Sequence, residues 1–240
     1  MEDLDAAVSR KVVVDQKILP GSREQYRRLA AGLHQAQASA AIKVVMISSA
    51  VPGEGKTLTA SNLSLTLSES YHRRVLLIDA DLRRPGLHRL FKVPALPGLT
   101  DCLLASEERA IRPHQISSHL SLLPAGTPNP DPMAVLTSTR MRHILDDARE
   151  AFDWVILDTP PIGLLSDATL LAANVDATVF VVKAGETPFE LVKRAVEIVG
   201  SDRLLGVVLN RATPDPQRYG YGYSQYASRK AATGNSDKPQ

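Results

Sequence analysis

Five short apolar runs, at residues 43–47, 74–78, 154–157, 178–182 and 205–209, carry valine, isoleucine and leucine at consecutive rather than alternate positions. A strand with one wet face alternates, so unbroken runs predict strands buried on both faces of a parallel sheet. Helix-length segments separate them. Residues 56–69 place Ala60, Leu63 and Leu67 on one helical face, and residues 188–199 do the same with Leu191, Ala195 and Val199. This alternation predicts an α/β fold, a doubly wound and mostly parallel sheet flanked by helices and joined by right-handed crossovers. An additional helix is expected at 22–38, with Ser22 as its cap and Glu24 in its first turn. Residues 111–132, rich in proline and serine around a strand candidate at 120–123, read as a surface excursion. From Thr213 the periodicity stops and Pro, Gly, Ser, Gln and Lys dominate. The expected division is an N-terminal segment (1–21), a main α/β domain that includes the first helix (22–212) and a flexible tail (213–240).

Composition narrows the possibilities. A chain of 240 residues suits one large domain, and its formal charge of +2 is too small to call for a nucleic-acid partner. Apolar stretches such as 177–182 fall well short of the roughly 18 residues of a spanning helix. The acidic start Met1-Glu2-Asp3 lacks the basic and apolar regions of a signal peptide, so a soluble cytoplasmic protein is expected. Cys102 is the only cysteine, which excludes an internal disulfide and a thiolate metal cage within one chain.

The segment Ala50-Val51-Pro52-Gly53-Glu54-Gly55-Lys56-Thr57 follows a predicted strand and opens a predicted helix, the context of a P-loop NTPase-like phosphate-binding loop. Gly53 and Gly55 let the backbone curl so that the stretch from Pro52 to Leu58 lines a phosphate site at the helix start, with N–H groups offered by the residues after Pro52. Lys56 is positioned to reach the β- and γ-phosphates of ATP, and Thr57 to place its hydroxyl on Mg²⁺. Ala50 stands where the motif usually has glycine. Two further runs end in carboxylates: Asp79 and Asp81 after 74–78, and Asp158 after 154–157. Ligands gather along the carboxyl edge of such sheets, so the three aspartates are expected to share one site. Asp158 and either Asp79 or Asp81 would hold Mg²⁺ through water, leaving one of that pair free to accept a proton from an attacking hydroxyl.

Four of the six tyrosines, Tyr219, Tyr221, Tyr223 and Tyr226, crowd into eight residues spaced by glycine, serine and glutamine. No burial pattern accounts for them. They read either as a phosphoacceptor array or as an adhesive aromatic tail.

Taken together, the loop, the segment Ile78-Asp79-Ala80-Asp81-Leu82-Arg83-Arg84-Pro85, the segment Leu157-Asp158-Thr159-Pro160-Pro161 and the tyrosine cluster resemble the cytoplasmic kinase domain of the bacterial tyrosine kinases that regulate capsule and exopolysaccharide export. The resemblance spans roughly residues 22–226. It implies ATP- and Mg²⁺-dependent autophosphorylation of the terminal tyrosines, passed between chains. Lys56 and Thr57 match the first motif, Asp79 and Asp81 the second and Asp158 the third. It further implies that Asp167 supports the site from nearby and that Asn210 reads the adenine edge. The implied partners are further copies of the chain, a cognate phosphatase and a separate membrane adaptor that recruits the protein to the inner face of the plasma membrane. Glu24 and Arg27 match two positions of a ring-assembly motif whose third position is Ala30 here, and Asp131-Pro132-Met133-Ala134 replaces the usual x-Glu-Leu-Leu after Pro128-Asn129-Pro130. Two alternatives share much of this pattern. One is a dimerising ATPase of the chromosome-partitioning and division-site type, which places lysine where this chain has Val51. The other is a nucleotide-gated binding module without kinase activity.

Overall fold

The apolar runs form one sheet. The structure is a computed structural model that describes residues 12–13, 20–105, 111–163 and 166–212. The tyrosine cluster, the expected tail and most of the segment 1–21 lie outside the described residues. Met1–Asn210 forms one unit and Arg211–Gln240 another.

Helix α1 (Pro20–Ala40) leads into β1 (Val44–Ser49), α2 (Lys56–Glu69), β2 (Val75–Asp79) and the short helices α3 (Leu87–Leu90) and α4 (Leu99–Leu104). There follow β3 (His114–Gln115), β4 (Leu120–Leu123), α5 (Met133–Leu136), α6 (Thr139–Ala151), β5 (Trp154–Asp158), α7 (Ser166–Ala172), β6 (Ala177–Lys183), α8 (Phe189–Val199) and β7 (Leu204–Asn210). The strand order is β3-β4-β2-β5-β1-β6-β7, parallel throughout except for the β3–β4 edge pair.

Period-2 geometry divides the strand residues between two cores. Val44 and Met46 of β1 pack on one face with α4 to α8, whereas Val45 and Ile47 pack on the other with α1 and α2. All residues of β1, β2 and β5 are buried, as expected from their lack of alternation; β7, with the same unbroken pattern, lies at the sheet edge and is not buried on both faces, Val207 and Leu209 being exposed. Helix α2 is buried well beyond the single apolar face expected of it. Val12 and Val13 cover part of it, and the Val13 N–H donates to Asn62 Oδ1 at 2.8 Å. Its serines and threonines satisfy themselves locally: Ser61 donates to the Thr57 carbonyl at 2.7 Å and Thr66 to the Asn62 carbonyl at 2.7 Å.

The excursion at 111–132 is more than surface. Leu120–Leu123 is wholly buried and pairs in parallel with β2, from Val75↔Leu120 to Ile78↔Leu123. Helix α6, absent from the sequence reading, carries the amphipathic signal that would have found it. Ser138 caps it by accepting the Met141 N–H, and Met141, Ile144, Leu145 and Ala148 form its buried stripe.

No helix among the described residues is long and apolar enough to cross a membrane.

Candidate nucleotide site

The carboxyl ends of β1, β2 and β5 meet where the phosphate loop begins. These strands are neighbours in the sheet, and their register sets Asp79 directly opposite Asp158, with the Ala80 N–H donating to the Asp158 carbonyl at 2.8 Å. Gly53 and Gly55 adopt φ of 82° and 97°, the left-handed region, so the loop reverses twice before α2 starts at Lys56. A side chain at Gly55 would also meet Asn210, its Cβ lying 2.1 Å from Nδ2. The neighbouring strand loop leaves equally little room: a Cβ on Gly163 would stand 2.6 Å from the Ala50 carbonyl oxygen.

Lys56 is buried at the mouth of α2. Burial pushes its ammonium below the usual lysine range, while the charges of Asp158, Asp81 and Glu54 pull it back up. The Thr57 hydroxyl hydrogen-bonds Asp158. Asp158 is pushed up to about 8, first by burial and then by Asp79; Thr57 and Lys56 oppose the shift. Asp79 is pushed up to about 6 by burial, although its Oδ2 accepts the N–H groups of Gly86 and Leu87, each at 2.9 Å. Both carboxylates keep one buried oxygen, Oδ1, that no protein donor reaches. Two facing carboxylates with orphaned oxygens are costly as anions unless a proton or a cation joins them.

These oxygens fit a hydrated divalent cation. Hard cations prefer oxygen ligands, Mg²⁺ retains several waters, and Thr57 adds a hydroxyl beside Asp158. Among the described residues no cluster of three or more His, Cys, Asp or Glu side chains forms a metal cage by itself.

Asp81 is half-buried, and its Oδ1 accepts the Arg84 N–H at 3.0 Å. Asp167 is brought to the same region. It receives Arg83 in a two-pronged pair at 2.6 and 3.1 Å, and Arg83 also donates to the Pro130 carbonyl. This ties the segment after Asp81 to α7 and to the proline-rich loop. Asn210, closing β7, donates through Nδ2 to the Glu54 carbonyl at 2.7 Å and so sits against the phosphate loop. Pro52 is exposed and Leu58 half-buried on either side of it. Glu54 is the residue whose side chain sequence reasoning missed: its carboxylate is held by protein donors rather than turned to solvent.

Residues 42–189 match the AAA domain family. The tyrosine-protein kinase YwqD of Bacillus subtilis (strain 168) is 38% identical over 203 residues, covering 82% of this chain and 85% of that protein. The chain belongs to the bacterial tyrosine-protein kinase family. The kinase domain of the Escherichia coli tyrosine kinase ETK has the same fold, with a TM-score of 0.71 at 31% identity over 83% of this chain and 80% of that one. Some relatives are much longer. Against the succinoglycan biosynthesis transport protein ExoP of Rhizobium meliloti, 31% identical over 230 residues, the match covers 89% of this chain and 29% of that protein. The septum site-determining protein MinD of Pyrococcus horikoshii, complexed with Mg-ADP, matches with a TM-score of 0.58 at 20% identity over 75% of this chain and 72% of that one, a likeness of fold alone.

Glu24 and Arg27, the positions expected to match a ring-assembly motif, lie on α1. Glu24 pairs with Arg27 at 4.0 Å and with Arg28 at 3.7 Å within the same helix, and Ala30 is fully buried. Ala30, at the expected third position, therefore faces the core.

Proposed function

We propose that this protein is an ATP- and Mg²⁺-dependent tyrosine autokinase that phosphorylates Tyr219, Tyr221, Tyr223 and Tyr226 of another copy of itself. The observation that carries this reading is the pair of facing carboxylates, each with a buried oxygen lacking a donor, beside Lys56 and Thr57. When bound, Mg²⁺ would neutralise charge between the phosphates and these carboxylates. Lys56 would draw the transferring phosphoryl group into line, and the curled loop would hold the remaining phosphates by backbone N–H groups. Asp81 is the better proton acceptor of its pair. Asp79 is fully buried with one oxygen fixed by two N–H groups, whereas half-buried Asp81 can be approached by a tyrosine hydroxyl. Asp167, through Arg83, would keep that segment in place, and Asn210 would meet the base. Membership in the kinase family and the succinoglycan biosynthesis transport role of its relative ExoP support a place in polysaccharide synthesis or export, with a separate membrane adaptor, a phosphatase and self-association through Glu24 and Arg27 as the corresponding partners.

The test mixes a Lys56→Met chain that keeps its tyrosines with an active chain lacking 213–240, in radiolabelled ATP. Label on the first chain, at a rate that rises with concentration, is the expected result. Nucleotide hydrolysis without any phosphotyrosine would instead favour the dimerising ATPase.

A further inference from the structure

Glu54 occupies the centre of the phosphate loop, but the residue is only 1% exposed. Oε2 accepts the Val51 N–H at 3.0 Å, closing the loop on itself. Oε1 accepts the Lys183 N–H at 3.2 Å, from the last residue of β6, and the Thr187 hydroxyl at 2.5 Å, from the turn between β6 and α8. The Glu54 carbonyl accepts Asn210 Nδ2 at the end of β7. One residue thus fastens the loop to the ends of two strands that carry none of the site's aspartates. The commitment of Thr187 is visible at α8. The hydroxyl that precedes this helix goes to Glu54, and the N-cap position falls to Pro188, which has no capping side chain.

We propose that Thr187 and the Glu54 carboxylate are positioning residues for nucleotide phosphate: together they brace the loop in its phosphate-receiving shape before nucleotide arrives. The inference rests on the reading that this loop takes nucleotide phosphates, and it adds the β6–α8 turn to the site. The physical reason is preorganisation. A loop with two left-handed glycines and exposed Pro52 and Gly53 has many alternative shapes, and ordering it at the moment of binding would weaken affinity. Three donors on one buried carboxylate remove that cost in advance, and a hydrogen bond to a charged acceptor is stronger than one between neutral groups. A brace that acts equally on ground and transition states changes KM and leaves kcat alone.

The experiment titrates the full chain with fluorescent ADP and measures ATP kinetics in parallel for Thr187→Val, Thr187→Ser and Glu54→Gln. Thr187→Val keeps the volume and removes the donor; it should weaken ADP binding and raise the ATP KM by about tenfold, with kcat within about twofold of the parent. Thr187→Ser restores the hydroxyl and should bind ADP like the parent. Glu54→Gln turns an acceptor oxygen into an amide donor facing an N–H or a hydroxyl, and it should lose at least as much affinity as Thr187→Val. Thr187→Val binding ADP as tightly as the parent, Thr187→Ser as weak as Thr187→Val, or a loss confined to kcat would each overturn the brace. If Thr187→Val does not fold, Glu54→Gln carries the same test, and parental ADP affinity in it overturns the proposal. A parent chain that binds no ADP at all removes the nucleotide reading and the brace together, whereas ADP binding without tyrosine phosphorylation removes only the kinase reading.

Discussion

Asp153 and Asp158 flank the same strand, β5, and their surroundings are opposite. At the amino end, Asp153 Oδ2 accepts the Arg74 N–H at 2.9 Å and Oδ1 meets the Arg74 guanidinium at 3.3 Å. Burial would raise its pKa, but these partners and Arg73 hold it below the usual carboxylate range. Asp176, before β6 on the same side of the sheet, is satisfied more fully. Its Oδ2 accepts the N–H groups of Lys43 and Val44 at 2.8 Å each, and Arg149 reaches both oxygens at 2.7 Å. There too burial pushes upward and the donors win, so the group stays below its ordinary range. At the carboxyl end, Asp79 and Asp158 are raised and each has an oxygen left over. The amino edge spends its carboxylates on holding the chain together. The carboxyl edge keeps them short of partners, and this is the strain from which a cation and a nucleotide would gain binding energy.

The largest effect should come from removing the charge at the strained end. Asp158→Asn or Lys56→Met should lower tyrosine phosphorylation by at least about 10²-fold, because each removes a group aimed at developing charge rather than a packing contact. Circular dichroism should stay unchanged. For Asp158→Asn the defect should be greatest at limiting Mg²⁺, and a defect equal at every Mg²⁺ concentration would remove that residue from the metal's surroundings.

The opposite edge should answer in stability rather than in chemistry. Asp176→Ala leaves two N–H groups and the Arg149 guanidinium without their shared acceptor, a loss of about 2–4 kcal/mol for a partly buried network. That corresponds to a melting temperature lower by roughly 5–15 °C in a domain of this size. Phosphorylation per folded molecule should remain near that of the parent. A variant that melts normally but fails to transfer phosphate would erase the distinction between the two edges.

The distinction was only half legible in the sequence. Asp79 and Asp158 announce themselves because each directly ends an unbroken apolar run, and the parallel sheet then leaves them little choice but to face each other. The apolar runs bound all five strands within a residue or two, even β7, which is only partly buried; helix α2 is bounded at Lys56 and Glu69 by the loop and by the Ser70-Tyr71 exit. Asp153 and Asp176 precede their strands, where an aspartate usually signals only a turn, and their partners lie 79 and 133 residues away for Arg74 and Lys43. Thr187 and Glu54, 133 positions apart, were hidden for the same reason. Nothing local in a P-G-E-G loop says that its glutamate turns inward. Strand β4 reads only as a short candidate within a surface excursion, since Pro113 and Pro124 bracket it and its pairing with β2 is not legible locally.

The smallest predicted effect is the one that reads the strain itself. Asp158 and Asp79 bind protons more tightly in the folded chain than in the unfolded one, so unfolding releases protons as pH rises through the interval between the ordinary carboxylate value and their raised ones. Stability contributed by these groups therefore falls from about pH 4 upward and levels off above about pH 8, where Asp158 has ionised in both states. Asp158→Asn cannot ionise and escapes the higher of the two penalties. Lys56, Thr57, Asp79 and Asp81 remain in place around it, so subtracting parent from variant cancels most other titrations. In metal-free buffer the variant should be the more stable protein by ~1–3 kcal/mol at pH 8, or about 2–8 °C in melting temperature, with a smaller margin at pH 5. Mg²⁺ with ADP should invert the order, because a bound cation favours the ionised carboxylates that the parent has and the variant lacks. Parallel melting curves across pH 5–8, with and without Mg²⁺, would mean that the Asp79–Asp158 pair is as well satisfied as Asp176, and that the carboxyl edge of the sheet holds no reserve for a ligand.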